Sequence, residues 1–95
     1  MLEAVDRALL VLGETARQAI YDCIESSYQI RREEIPEKLE ALHGALTDLL
    51  GKGGNMVERV AAENLYRTLR LNFEPNDDWV LVDYVNHAKR TLSVG

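Results

Sequence analysis

The chain has 95 residues, a hydrophobic content of 46% that can fill one core, a formal charge of −5 and one cysteine. That length implies a single domain over residues 1–95, and the lone Cys23 excludes an intramolecular disulfide framework and suits a reducing, cytoplasmic setting. The acidic balance disfavours nonspecific binding to phosphate backbones; the acids Glu3 and Asp6 are wrong for a signal peptide, and the apolar run 8–13 is too short to span a bilayer, so no membrane association is expected.

From the N-terminus, Leu2, Val5, Leu9, Leu12, Ala16, Ala19 and Cys23 recur at alternating three- and four-residue steps, a heptad stripe that predicts one long helix over residues 2–28. Ile20 and Ile24 widen its second half into an ordinary core-facing stripe, whereas Ala8, Leu10 and Val11 make the first half apolar nearly all round. Gly13 costs about 1 kcal/mol relative to alanine in a helix interior and is the one place for a kink. A continuous helix of this length would run about 40 Å, longer than a compact domain of this size needs. The excess predicts that Leu2, Val5, Leu9, Leu10 and Leu12 pack against a second copy in a homodimer.

Residues 26–34 lose the period, and 31–34 read as a solvated connection. Pro36, after Ile35, suits the first turn of a helix, predicted over 36–50 with the stripe Leu39, Leu42, Leu46 and Leu49 beside Leu50. Glu37 and Glu40 lie at its start, where the helix dipole favours negative charge. Gly51 is placed to end this helix in the left-handed cap conformation, with Gly53 and Gly54 freeing the chain to reverse. A third helix follows over 54–71, with Val57, Val60, Ala61, Asn64, Leu65, Thr68 and Leu69 on its face. After a turn at 72–78, Asn76 or Asp77 can cap a fourth helix over 77–92, facing inward with Leu81, Val85, Ala88 and Leu92. Residues 79–82 as a short strand are the alternative, with no second strand to pair with. The expected fold is all-α: a four-helix bundle-like domain with a long first helix, bent if anywhere at Gly13, and a glycine turn between helices 2 and 3.

Within residues 51–71, Lys52, Arg59, Arg67 and Arg70 outnumber Glu58 and Glu63 by two, which suggests that this stretch faces something acidic. Lys52, Gly53 and Gly54 ahead of a helix N-terminus, with Arg59, Arg67 and Arg70, are candidate anion or partner contacts. The turn follows a helix, where a phosphate loop follows a strand, and it lacks the terminal Lys-Ser/Thr pair. Helix, glycine turn and helix also outline a nucleic-acid-binding helix-turn-helix with 55–71 as its recognition helix; the net charge and the apolar content of that helix argue against it. A small helical enzyme of chorismate-mutase-like outline is a further alternative, but the spacing of Arg7, Arg17, Arg59 and Arg67 does not supply the converging donors it needs.

His43 and His87 have no second histidine or cysteine three or four residues away, so no metal site is expected. Cys23 lies on the heptad stripe and reads as a small core residue. The acid pairs 33–34 and 77–78 point apart rather than forming acid/base couples. Tyr21, Tyr28, Tyr66 and Tyr84 suit interface positions with the ring buried and the hydroxyl wet. No catalytic residue and no cofactor is expected.

The segments Leu12-Gly13-Glu14, Ala19-Ile20-Tyr21, Glu34-Ile35-Pro36-Glu37, Leu50-Gly51 and Leu65-Tyr66, with Asp83-Tyr84-Val85 as an extension, resemble small helical archaeal domains of the Nitrosopumilus output domain type over residues 12–66. The glycine turn departs from that pattern, which has an alanine after its second glycine where this chain has Gly53-Gly54-Asn55. The resemblance implies a sensory or regulatory output module acting through protein contacts, with no catalytic residues to carry over. The functional expectation is a non-catalytic, cytoplasmic regulatory or protein-protein interaction module that self-associates.

Overall fold

Five α-helices and one 3-10 turn, with no strand among the described residues, make up the structure, a computed structural model that describes residues 1–94. In chain order they are α1 (Leu2–Leu10), α2 (Glu14–Tyr28), the 3-10 turn (Arg32–Glu37), α3 (Leu39–Leu50), α4 (Lys52–Leu69) and α5 (Leu81–Val94). The central element is α4, which packs against α1, α3 and α5. Its buried positions Gly54, Val57, Glu58, Ala61, Ala62, Leu65 and Tyr66 follow the three- and four-residue steps of one helical face. Several of them are small, as are Ala4 and Ala8 on the buried side of α1, so the two backbones can approach closely.

The expected all-α class holds, but the long first helix does not form. Helix α1 ends at Leu10, the N–H groups of Val11, Leu12 and Gly13 donate to the carbonyls of Ala8, Leu9 and Leu10 in a tightened last turn, and Gly13 sits at φ 103°, ψ 154°. That positive φ strongly favours glycine. The break lets α1 turn back onto α4 and α2 of its own chain. Val5 and Leu9 are therefore sealed in the core at 1% and 0% exposure, where each apolar side chain contributes about 1.5–3 kcal/mol. The heptad phase does not carry across the break: α2 buries Ile20 and Ile24, Ala19 is exposed, and Cys23 is only partly covered rather than in the core.

The polar connection is also more structured than its composition suggests. Ile30 and Ile35 are both buried, and the 3-10 turn that carries Ile35 is held by Glu34, which accepts from the Arg31 backbone N–H at 3.0 Å and pairs with Lys38 at 3.2 Å. Pro36 belongs to this turn, so α3 begins at Leu39 instead of 36. Tyr21 donates to Asp6, Arg32 pairs with the same carboxylate, and the Arg32 guanidinium lies 5.4 Å from the centre of the Tyr21 ring. These contacts tie α1, α2 and the 3-10 turn together.

One glycine makes the reversal between α3 and α4. Gly51 has φ 57° and ψ −129°, a positive φ as expected but not the ordinary left-handed cap. Gly53 and Gly54 are already inside α4. Gly54 is needed for contact rather than flexibility, because a Cβ there would stand 2.8 Å from the Leu46 carbonyl oxygen. The alternative strand at 79–82 is absent; α5 starts at Leu81 and buries Leu81, Tyr84, Val85 and Ala88, while Leu92 is exposed. The buried side chains form one cluster, and the radius of gyration of 12.8 Å matches the ~12 Å expected of a single folded unit this long.

Candidate functional site

The elbow between α4 and α5 carries a concavity with aromatic walls. Helix α4 closes with Arg70 in the left-handed conformation, and the Leu71 N–H returns to the Tyr66 carbonyl at 2.9 Å, the hydrogen bond that ends a helix in a Schellman turn. The following loop is fastened by side chains of both helices. The Tyr84 hydroxyl accepts from the Asn76 N–H at 2.8 Å and donates to the Asn76 carbonyl at 3.1 Å. Arg59 of α4 donates to Asp77 at 2.8 Å, and Asp83 accepts from the Val80 N–H at 3.0 Å.

The start of α5 is satisfied from α4. Glu58 is only 1% exposed; its Oε1 accepts from the Leu81 N–H at 3.2 Å, and its Oε2 lies 2.6 Å from His43 Nδ1 on α3. The carboxylate favours the imidazole form in which Nδ1 carries the proton and donates it. One buried side chain thus links three helices and supplies a partner to an N–H that a helix cannot satisfy internally.

This framework encloses a cavity of about 390 Å³ lined by Tyr66, Leu71, Asn72, Glu74, Pro75, Asn76, Trp79, Tyr84, His87 and Thr91. The aromatic rings support one another. Tyr66 and Tyr84 meet edge to face with centroids 6.1 Å apart, Trp79 and Tyr84 do so at 5.2 Å, and His87 stacks at a tilt on Trp79 at 5.5 Å. Phe73 backs the group at 5.5 Å from Tyr66 and 5.2 Å from Tyr84. Tyr66 donates its hydroxyl to the Tyr84 carbonyl at 2.6 Å, and burial pushes its phenol above the usual range. The tyrosines form a buried wall, Trp79 is half-buried, and Glu74, His87 and Thr91 stand exposed at the rim.

The candidate contact and self-association residues do not line this cavity, although Arg59 fastens its loop. Of the expected self-association set, Val5 and Leu9 are consumed by the chain's own core and Leu2 is partly covered by it, a correction that follows from the break at Gly13; Leu10 and Leu12 remain exposed beside Val11. Lys52 and Arg70 lie at opposite ends of α4, roughly 27 Å apart at the rise of an α-helix. Between them Arg59 is engaged with Asp77 and Arg67 with Glu63, so the basic residues form a row interleaved with acids rather than a converging site. Gly53 and Gly54 lie in the first turn of α4, with Gly54 buried. Arg17, which the enzyme alternative would draw in, pairs with Glu14 on α2.

Sequence reasoning missed Trp79 and Glu74 as members of a pocket and Glu58 as a buried carboxylate. A signal for Glu58 was present: it shares its helical face with Gly54, Ala61, Ala62 and Leu65, which places an acid among core positions. The pocket had no such signal, because its lining comes from a helix end, a loop and the next helix. Searches against family models, curated proteins and solved structures found no match to this chain.

Proposed function

We propose that the protein is a non-catalytic regulatory module that engages a partner protein through the α4–α5 elbow. The observation that carries this reading is the cavity itself, a concave site with aromatic walls and a polar rim, the composition of a place that receives a side chain. Its frame is held by hydrogen bonds among its own members, so the site is preorganised and little ordering is needed on binding. No helix among the described residues is long and apolar enough to cross a membrane, and with the single cysteine this supports action in the cytoplasm.

The test is photo-crosslinking in cells from a benzoylphenylalanine placed at Thr91 on the rim. A discrete adduct should form there, vanish with Trp79→Ala, and be absent when the crosslinker is placed at Glu14 on the remote start of α2. Identical adducts from both positions would sink the proposal.

Self-association is a second reading, favoured by a separate observation. Leu10, Val11 and Leu12 are 44%, 64% and 36% exposed in succession at the α1–α2 corner, and a contiguous apolar segment of this kind is a recognised feature of protein contacts. The homodimer would then form through this corner alone rather than through the whole first helix.

A further inference from the structure

The chemistry of the elbow narrows what it can hold. We infer that the pocket binds a weakly hydrated cation, an alkylated ammonium group carried on a partner's chain; this rests on the reading of the pocket as the recognition site. Two independent features select positive charge. Trp79 lines the cavity half-buried, with the buried rings of Tyr66 and Tyr84 behind it, and aromatic ring faces attract cations through their quadrupoles, with Trp the strongest. Glu74 lines the same cavity, and residues 71–80 carry Glu74, Asp77 and Asp78 with no lysine or arginine. Asp77 is already engaged by Arg59 and Asp78 lies outside the lining, which leaves Glu74, held by the Asn72 side-chain amide at 3.3 Å, as the carboxylate that sets the local sign. Arg90 of α5 is not part of the lining.

An anion entering the cavity would meet Glu74, and a neutral apolar group would gain burial alone. A bare lysine ammonium is a strongly hydrated charge with three donors that want partners, and aromatic walls replace that water poorly. A trimethylated ammonium carries the charge without N–H groups, so it can be desolvated against rings at low cost. The cavity of about 390 Å³ has room for such a head together with the stem that bears it.

Trp79 is the only tryptophan, so its emission reports directly on the site. The experiment titrates the full chain with a trimethyllysine peptide, with choline, and with 3,3-dimethylbutanol, the neutral molecule of the same shape as choline. The expected result is a saturable change in emission with the peptide and choline, the peptide binding at least as tightly, and binding of the alcohol at least tenfold weaker. Glu74→Gln, a change at an exposed residue that leaves the fold intact, should weaken choline binding several-fold and leave the alcohol unchanged. An alcohol that binds as tightly as choline overturns the preference for a cation while the pocket stands as a recognition site. Choline binding more tightly than the peptide overturns the partner as the source, and saturation by none of the three overturns the inference as a whole. The crosslinking result at Thr91 is read separately, so an absent cation site and an absent partner are told apart.

Discussion

Glu58 shows how one side chain can carry a structural role that its type conceals. A carboxylate left alone in a core is costly, yet this one is matched on both oxygens, by His43 and by the first turn of α5. Removing it by Glu58→Ala leaves the Leu81 N–H buried without a partner and opens a gap, and the expected loss is about 2–4 kcal/mol. Glu58→Gln keeps the size and an acceptor oxygen, so about 1 kcal/mol is expected. Urea denaturation of the two variants checks this; equal losses would show that the carboxylate's charge, not its shape and acceptors, holds the junction. Tyr21 makes a second prediction. Its phenol is raised by burial, by its hydrogen bond to Asp6 and by that carboxylate's charge, against weaker opposing effects of Arg32 and Arg17. The unfolded chain therefore gives up this proton first, from about pH 10, and binds fewer protons than the folded chain. The stabilisation is complete below that pH and is lost as pH rises further. Alkaline denaturation should be shallower in Tyr21→Phe than in the parent, after allowance for the general loss of stability in the variant.

At the scale of the element, the glycines separate propensity from contact. Alanine favours a helix over glycine by about 1 kcal/mol, and at Gly44 of α3, where a Cβ meets nothing within 4 Å, that gain should appear in full. Gly53→Ala should behave similarly, since its nearest neighbour is the Leu50 Cβ at 3.6 Å. Gly54→Ala should do the reverse. A Cβ at 2.8 Å from the Leu46 carbonyl oxygen and 2.9 Å from its carbon must push α3 and α4 apart, and overpacking of this kind costs about 1–3 kcal/mol, enough to cancel or exceed the propensity gain. Thermal melts of the three variants would show two increases and one decrease; a stabilised Gly54→Ala would mean that the crossing of α3 and α4 is looser than described. The glycine turn was visible in the sequence, but the division of labour within it was not. Gly51 bends the chain and Gly54 admits a neighbour, and the second role depends on where Leu46 lies.

For the whole molecule, the decisive event is the break at Gly13. Because α1 folds back, Leu9 is sealed in the core of its own chain at 0% exposure, and Leu9→Asp should unfold the protein, costing about 4 kcal/mol or more. Leu10→Asp at the exposed corner should leave the fold intact. Light scattering behind size exclusion then tests self-association: a dimer in the parent that becomes a folded monomer in Leu10→Asp supports it, and a parent that is monomeric at every concentration removes it. The sequence by itself determined the all-helical class, the approximate helices in the second half and most of the inward residues of α3 and α5, Leu49 and Leu92 being exposed, because three- and four-residue spacing and glycine or proline punctuation are local properties. It also held the evidence for a kink at Gly13, whose cost in a helix is likewise local. Only the tertiary structure decided that the kink is a full break, since the preserved heptad phase and the glycine penalty pull in opposite directions and the outcome depends on α1 finding a surface on α4. The same holds for the elbow pocket. Tyr66, Glu74, Trp79 and His87 share no helical period, and they meet because the end of α4, the loop fastened by Asn76 and the start of α5 capped by Glu58 are brought together across the core.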